Sequence, residues 1–128
     1  MGDEFTYHDG WLYAEDVAIE DLARDHGTPL YVYSKNHLES QFAILRKALQ
    51  EIDPLICFAV KSNTSAGIIN VFAHLGAGAD IDSAGELYRS KRAGIPPSQM
   101  VFAGVGKTEK EIEYALREEI LSFTVESE

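Results

Sequence analysis

The chain is 128 residues long, enough for one domain or a piece of a larger one. Its composition, 45% hydrophobic and 25% charged, is that of a globular protein and excludes a disordered chain. Eleven Lys and Arg stand against 21 Asp and Glu, a formal charge of −10, which argues against nucleic acid or an anionic membrane surface as the main partner, since both require a positive footprint.

At the N-terminus, MGDEFTYHDG lacks the basic and apolar regions of a signal peptide. Met1-Gly2 suggests myristoylation, but the acids that follow argue against it. No apolar run approaches the roughly 18 residues of a membrane span, and the single cysteine, Cys57, cannot form an internal disulfide or a zinc cluster alone. A soluble cytoplasmic protein is expected. Residues 1–28 hold eight acids and one base and so carry −7 of the net charge. Such a segment reads as a solvated face, and the composition breaks at Gly27-Thr28-Pro29, a structural junction.

Residues 36–50 place Leu38, Phe42, Leu45 and Leu49 on one helical face. A short apolar run follows at 55–61, the first of four; the others are 79–82, 100–104 and 121–125. Phe58, Asp80, Phe102 and Thr124 lie near their centres, each 22 residues after the last, room for a strand, a helix and two tight loops. Residues 65–75 predict a helix carrying Ile68, Ile69, Phe72 and Leu75 and stopped by Gly76. Ser83-Ala84-Gly85-Glu86 and Thr108-Glu109-Lys110-Glu111 read as capping boxes. Gly94, Pro96 and Pro97 close the third helix, and a fourth, over 108–119, turns Ile112, Ala115 and Leu116 inward.

Alternating strands and helices predict βαβ units on a parallel sheet, an α/β fold. An open doubly wound sheet and a (β/α)8 barrel compete, and the even repeat favours the barrel. Four of eight strands are present, so the expectation is the N-terminal half of a (β/α)8 TIM-type barrel. Its two open sheet edges predict association if the chain is made alone.

Lys61 stands at the C-terminal end of the first of these strands, the edge where such folds do chemistry. Apolar neighbours would strip water from its ammonium, lower its pKa and free the amine as a nucleophile. A surface lysine closing a strand is the competing reading. Asp80 and Asp82 flank Ile81 and share a face, with Lys61 a candidate counter-charge; alternatively one acid caps the next helix. Glu86 completes the box begun by Ser83, at a helix N-terminus facing the same edge. Gly104-Val105-Gly106-Lys107-Thr108 lacks the full phosphate-loop spacing because Val occupies position 101, leaving Lys107 to meet an anion or to lie in a flexible surface loop. His8, His26, His37 and His74 show no metal spacing, and Cys57 reads as a small core residue.

Phe58-Ala59-Val60-Lys61-Ser62-Asn63 resembles the [YF]-A-[VL]-K-[AS]-N segment of the fold-type III pyridoxal-phosphate decarboxylases. The resemblance continues in order through Gly76-Ala77-Gly78-Ala79-Asp80, Ser83-Ala84-Gly85-Glu86-Leu87, Val101 to Lys107 and Phe123 to Ser127. Leu12 to Val17 and Gly27 to Ser34 also fit, and with the GVGKT loop they are most similar to the diaminopimelate decarboxylase branch. The resemblance implies that Lys61 holds pyridoxal 5'-phosphate, with Asp80, Glu86 and more weakly Ser83 and Lys107 around it. It implies conversion of meso-diaminopimelate to L-lysine and carbon dioxide by a homodimer. The phosphate loop, the ring-stacking histidine and the acid at the pyridine nitrogen come from later barrel strands, and a Cys-Glu segment from a C-terminal β domain, so the chain alone is expected to be inactive. Residues 1–28 would pair with that β domain and 29–128 would form the first half of the cofactor-binding barrel. One departure stands out: the family often has Val-Ser-Gly-Gly-Glu where this chain has Asp82-Ser83-Ala84-Gly85-Glu86. A non-catalytic half-barrel module, or an ornithine, arginine or carboxynorspermidine decarboxylase, are the alternatives.

Overall fold

A computed structural model describes residues 4–127; the Met1-Gly2 myristoylation signal lies outside them. The chain divides into two compact units between Leu45 and Arg46.

The first unit is built on a three-stranded antiparallel meander, β1 (Phe5–His8), β2 (Trp11–Ala14) and β3 (Val17–Ala18), followed by helix α1 (Ile19–His26). His8 pairs with Trp11 across a two-residue loop, Asp9-Gly10, with φ of 51° and 86°. Positive φ at both central positions is the turn that matches strand twist, and Asp-Gly is a sequence suited to it. The segment expected as a solvated acidic face is therefore a folded sheet. Among the described residues its acids lie in turns, in the bend before β1 and in α1, none on a strand, so they leave the strand pairing intact. The second two-residue loop, between Ala14 and Val17, places Glu15 at φ 54°, a region costly for a residue with a Cβ. Its carboxylate is tied down: Oε1 accepts from Ser34 Oγ at 2.7 Å and from the Asn36 amide at 2.9 Å, and Oε2 from Asn36 Nδ2 at 3.0 Å. Ser34 Oγ in turn accepts from the His37 amide at 2.9 Å. Together Ser34 and Glu15 thus satisfy the free amides that open helix α2 (Lys35–Ala48).

The second unit carries the repeat. Strands β4 (Cys57–Ala59), β5 (Gly78–Ile81), β6 (Met100–Phe102) and β7 (Ser122–Phe123) form one parallel sheet in sequential order. Helices α3 (Ala66–His74), α4 (Ala84–Ala93) and α5 (Glu109–Arg117) connect them. A doubly wound sheet reverses its strand order at a switch point; this one advances by one neighbour at each step, as a barrel does. Phe58 pairs with Ala79, Ala79 with Met100 and Phe102 with Phe123, so the register advances one residue less per unit than the 22-residue spacing of the run centres.

Strand alternation decides the two faces. Ala79, Ile81, Met100 and Phe102 are fully buried with Val60, Ile69, Leu87, Ile95 and Ala115, and Phe58 and Phe123 pack against them. Phe58 stacks on Phe72 of α3, ring centroids 4.3 Å apart. The opposite face carries the row Ala59, Asp80, Val101 and Ser122 in register. Gly94 ends α4 at φ 105°, and Ile95 returns its amide to Ser90 O at 3.0 Å. In α5 Ala115 is buried as expected, but Ile112 and Leu116 are 37% and 61% exposed. They line a shallow pocket with Val105, Phe123 and Val125. The reason is positional: α5 flanks the last strand, and no described strand-helix unit follows to cover its outer side.

Candidate active site at the C-terminal edge of the parallel sheet

Because the strands are parallel, their C-terminal ends meet at one edge. Lys61 lies there in the tight turn Val60–Ser62 that follows β4, its side chain 59% exposed. Asp82 follows β5, and its Oδ2 stands 3.0 Å from Lys61 Nζ. The Asp82 backbone is gripped from two sides. Its amide donates to Glu86 Oε2 at 2.7 Å, and Gly104, just past β6, lies so close that a Cβ there would come within 2.4 Å of the Asp82 carbonyl oxygen.

Of the two acids expected as counter-charges, Asp82 pairs with Lys61 and Asp80 acts on it through charge alone, but the electrostatic consequence is the reverse of that expected. The hydrogen bond to Asp82 raises the Lys61 pKa, and the charges of Asp82, Asp80 and Glu86 add to it against a weaker desolvation effect. An exposed ammonium facing three carboxylates keeps its proton; the apolar residues of the strand lie behind the turn, in the helix-side core, and do not surround Nζ. Asp80 sits one row deeper. Its Oδ1 is buried with no hydrogen-bond partner among the described residues, and its charge, after burial itself, pushes the Cys57 thiol up. Cys57 is half-buried on β4 rather than a full core residue, because it faces the row opposite the helices.

Neither aspartate caps the following helix. Ser83 does, its Oγ accepting from the Glu86 amide at 3.3 Å, while the Glu86 carboxylate reaches past the cap to Asp82. The reciprocal half of that expected box is therefore spent on the residue paired with Lys61. The second box is complete: Thr108 Oγ1 accepts from the Glu111 amide and the Glu111 carboxylate accepts from Thr108. Glu111 Oε1 also accepts from the Ala84 amide at 3.0 Å, joining the N-termini of α4 and α5. These contacts, the Ala84 amide first, hold its carboxyl below the usual range.

Lys107 does not lie free in a surface loop, and the anion beside it is the chain's own Glu126 carboxylate. The lysine side chain is 10% exposed, and Nζ donates to Gly104 O at 2.6 Å and Thr124 O at 2.7 Å, with Glu126 at 3.7 Å and the Phe102 ring beneath it. It ties together the ends of β6 and β7. Sequence reasoning missed this and the Gly104–Asp82 contact. Glycine directly after a strand was the available signal, for it marks close backbone approach.

Residues 35–128 match the family described as "Pyridoxal-dependent decarboxylase, pyridoxal binding domain". The chain belongs to this family. A diaminopimelate decarboxylase of Aquifex aeolicus is 54% identical over 121 residues, covering 94% of this chain and 28% of that protein. One from Vibrio cholerae is 50% identical over 127 residues, covering 98% of the chain and 30% of that protein. Among solved structures, diaminopimelate decarboxylase of M. jannaschii superposes with a TM-score of 0.90 at 31% identity, over 96% of this chain and 30% of that one. The Helicobacter pylori enzyme complexed with L-lysine does so with 0.80 at 42% identity, over 85% and 28%. The chain thus spans about 30% of the length of the curated relatives it matches. The family implies pyridoxal phosphate, and the edge suits it. An accessible primary amine stands at the strand ends, and below it a buried carboxylate oxygen lacks a donor, as it would where a bound group supplies one. Among the described residues no helix is long and apolar enough to cross a membrane.

Proposed function

We propose that this chain is the lysine-bearing N-terminal portion of a pyridoxal-phosphate-dependent diaminopimelate decarboxylase, which releases carbon dioxide from meso-diaminopimelate to give L-lysine. The observation that carries the reading is Lys61 Nζ standing at the C-terminal edge of the sheet, against Asp82 and above Asp80, in a chain whose relatives over nearly its whole length bear that name. Pyridoxal phosphate, when bound, supplies an electron sink for the charge left as carbon dioxide departs. The chain's own residues hold and orient. Lys61 anchors the cofactor through Nζ. Asp80 offers its unpartnered Oδ1 to a donor above it, and Ser83 and Glu86 order the rim of the site by fixing the start of α4. Residues 1–28 pair with a β domain contributed by the rest of the protein, residues 29–128 form the first half of the barrel, and the whole works as a cytoplasmic homodimer on a small amino acid.

The test uses the intact protein that contains this chain. It is loaded with pyridoxal phosphate, reduced with borohydride and mapped by mass spectrometry, and carbon dioxide release is followed from meso-diaminopimelate, ornithine and arginine. A single reduced adduct on Lys61 and release from meso-diaminopimelate alone are expected. An adduct on another lysine, or none, overturns the assignment of Lys61 and leaves a non-catalytic half-barrel module. Release from ornithine or arginine instead moves the protein to another branch of the family.

A further inference from the structure

Several features of the molecule are already committed: Lys107 to the β6–β7 junction, Glu111 to two helix N-termini, Glu15 to the start of α2. Asp82 is different. Its side chain is 30% exposed and has Lys61 Nζ as its ion-pair partner, while its main chain is held by Glu86 and crowded by Gly104. It is also the charged residue at which this chain departs from the Val-Ser-Gly-Gly-Glu pattern.

We propose that Asp82 is a positioning residue for Lys61: with its main chain held by the Glu86 and Gly104 contacts, its carboxylate holds the lysine ammonium at the strand edge and sets the pH at which the amine becomes free to capture the cofactor. The chemistry rests on the function proposed above; the placement does not. Capture requires Lys61 to lose one ammonium proton to water. Nζ then attacks the aldehyde carbon, the carbon–nitrogen double bond forms, and the aldehyde oxygen leaves as water with the two remaining nitrogen protons. Every carboxylate facing the ammonium slows the first of these steps, and those that do are Asp82, Asp80 and Glu86. Asp82 is in hydrogen-bond contact and its effect comes first.

The intact protein is compared with Asp82→Asn and Asp82→Glu, with Asp82→Ser in reserve should the Asn variant lose its circular-dichroism spectrum. The first readout needs no cofactor. Lysines are labelled by reductive 13C-methylation, Lys61 is assigned through Lys61→Arg, and its resonance is titrated. Lys61 should titrate at lower pH in Asp82→Asn and near the wild-type pH in Asp82→Glu. The second readout is the rate of pyridoxal-phosphate capture against pH, with borohydride mapping. At neutral pH the Asn variant should capture about two- to fivefold faster, the size of an exposed ion pair; where both amines are neutral the advantage should vanish. A merely structural role would change the rate by the same factor at every pH. Identical titration of Lys61 in wild type and Asp82→Asn overturns the inference, as does a rate ratio constant across pH. A shifted titration with no adduct on Lys61 leaves the placement standing and removes the proposed function.

Discussion

Gly104 and Asp82 sit in contact that only glycine permits: a Cβ on Gly104 would lie 2.4 Å from the Asp82 carbonyl oxygen and 2.8 Å from its Cα. Backbone atoms cannot rotate away as a side-chain tip can. Gly104→Ala must therefore splay the ends of β5 and β6, at a cost of about 1–3 kcal/mol. It also moves the carboxylate that holds Lys61. Urea denaturation should show the loss, and the Lys61 titration should drop toward that of an unpaired lysine. Unchanged stability would show that the two strand ends are not in contact.

Lys107→Met keeps most of the stem and removes the ammonium. Gly104 O and Thr124 O lose a charged donor, which costs about 1.5–3 kcal/mol for such bonds. The expected result is a lower denaturation midpoint with an unchanged slope. Affinity for inorganic phosphate should not change, since the two carbonyls and the Glu126 carboxylate already partner Nζ.

Glu15 and Glu111 set an acid limit on the fold. Hydrogen bonds from Ser34 and then Asn36 lower the Glu15 pKa, and bonds from Ala84 and then Thr108 lower that of Glu111. A depressed folded pKa contributes stability that is present above the unfolded value and lost as pH falls through the folded one. The window therefore opens below the ordinary glutamate value of about 4.3. Amide resonances of Asn36 and Ala84 should move as the pH is lowered through that range. Glu111→Gln should remove the movement at Ala84 and lower stability at neutral pH.

Asp80→Asn replaces a charge whose Oδ1 has no donor among the described residues. No hydrogen bond is lost, so stability should hold or rise. The Cys57 thiol, held up by burial and then by Asp80, should ionise more readily. Thiol labelling against pH would then run faster in the variant than in wild type. Equal rates would mean burial alone sets the thiol.

Expressed as these 128 residues, the chain should self-associate. β4 pairs only with β5 and β7 only with β6 among the described residues, which leaves two unpaired sheet edges. Sedimentation at increasing concentration should show oligomers; a monodisperse, cooperatively melting monomer would contradict the open half-barrel.

Local rules made much of the second unit legible in the sequence. The strands, the helices between them and the box at Thr108 depend on side-chain period and on bonds between near neighbours, and residues a few positions apart carry that information. The Phe58 to Asn63 segment marked Lys61 for the same reason. The meander at Phe5 to Ala18 was legible too, through Asp9-Gly10, but the acidic composition obscured it.

What only the tertiary structure decided is the charge state and company of those residues. Lys61 reads as desolvated beside its own strand, yet the proton follows Asp82, Asp80 and Glu86, which parallel pairing brings in from the next strand and helix. Lys107 reads as a loop lysine, yet the end of β7 closes over it. Electrostatic energy depends on distance through space, and the chain sets those distances only once its strands have found their register.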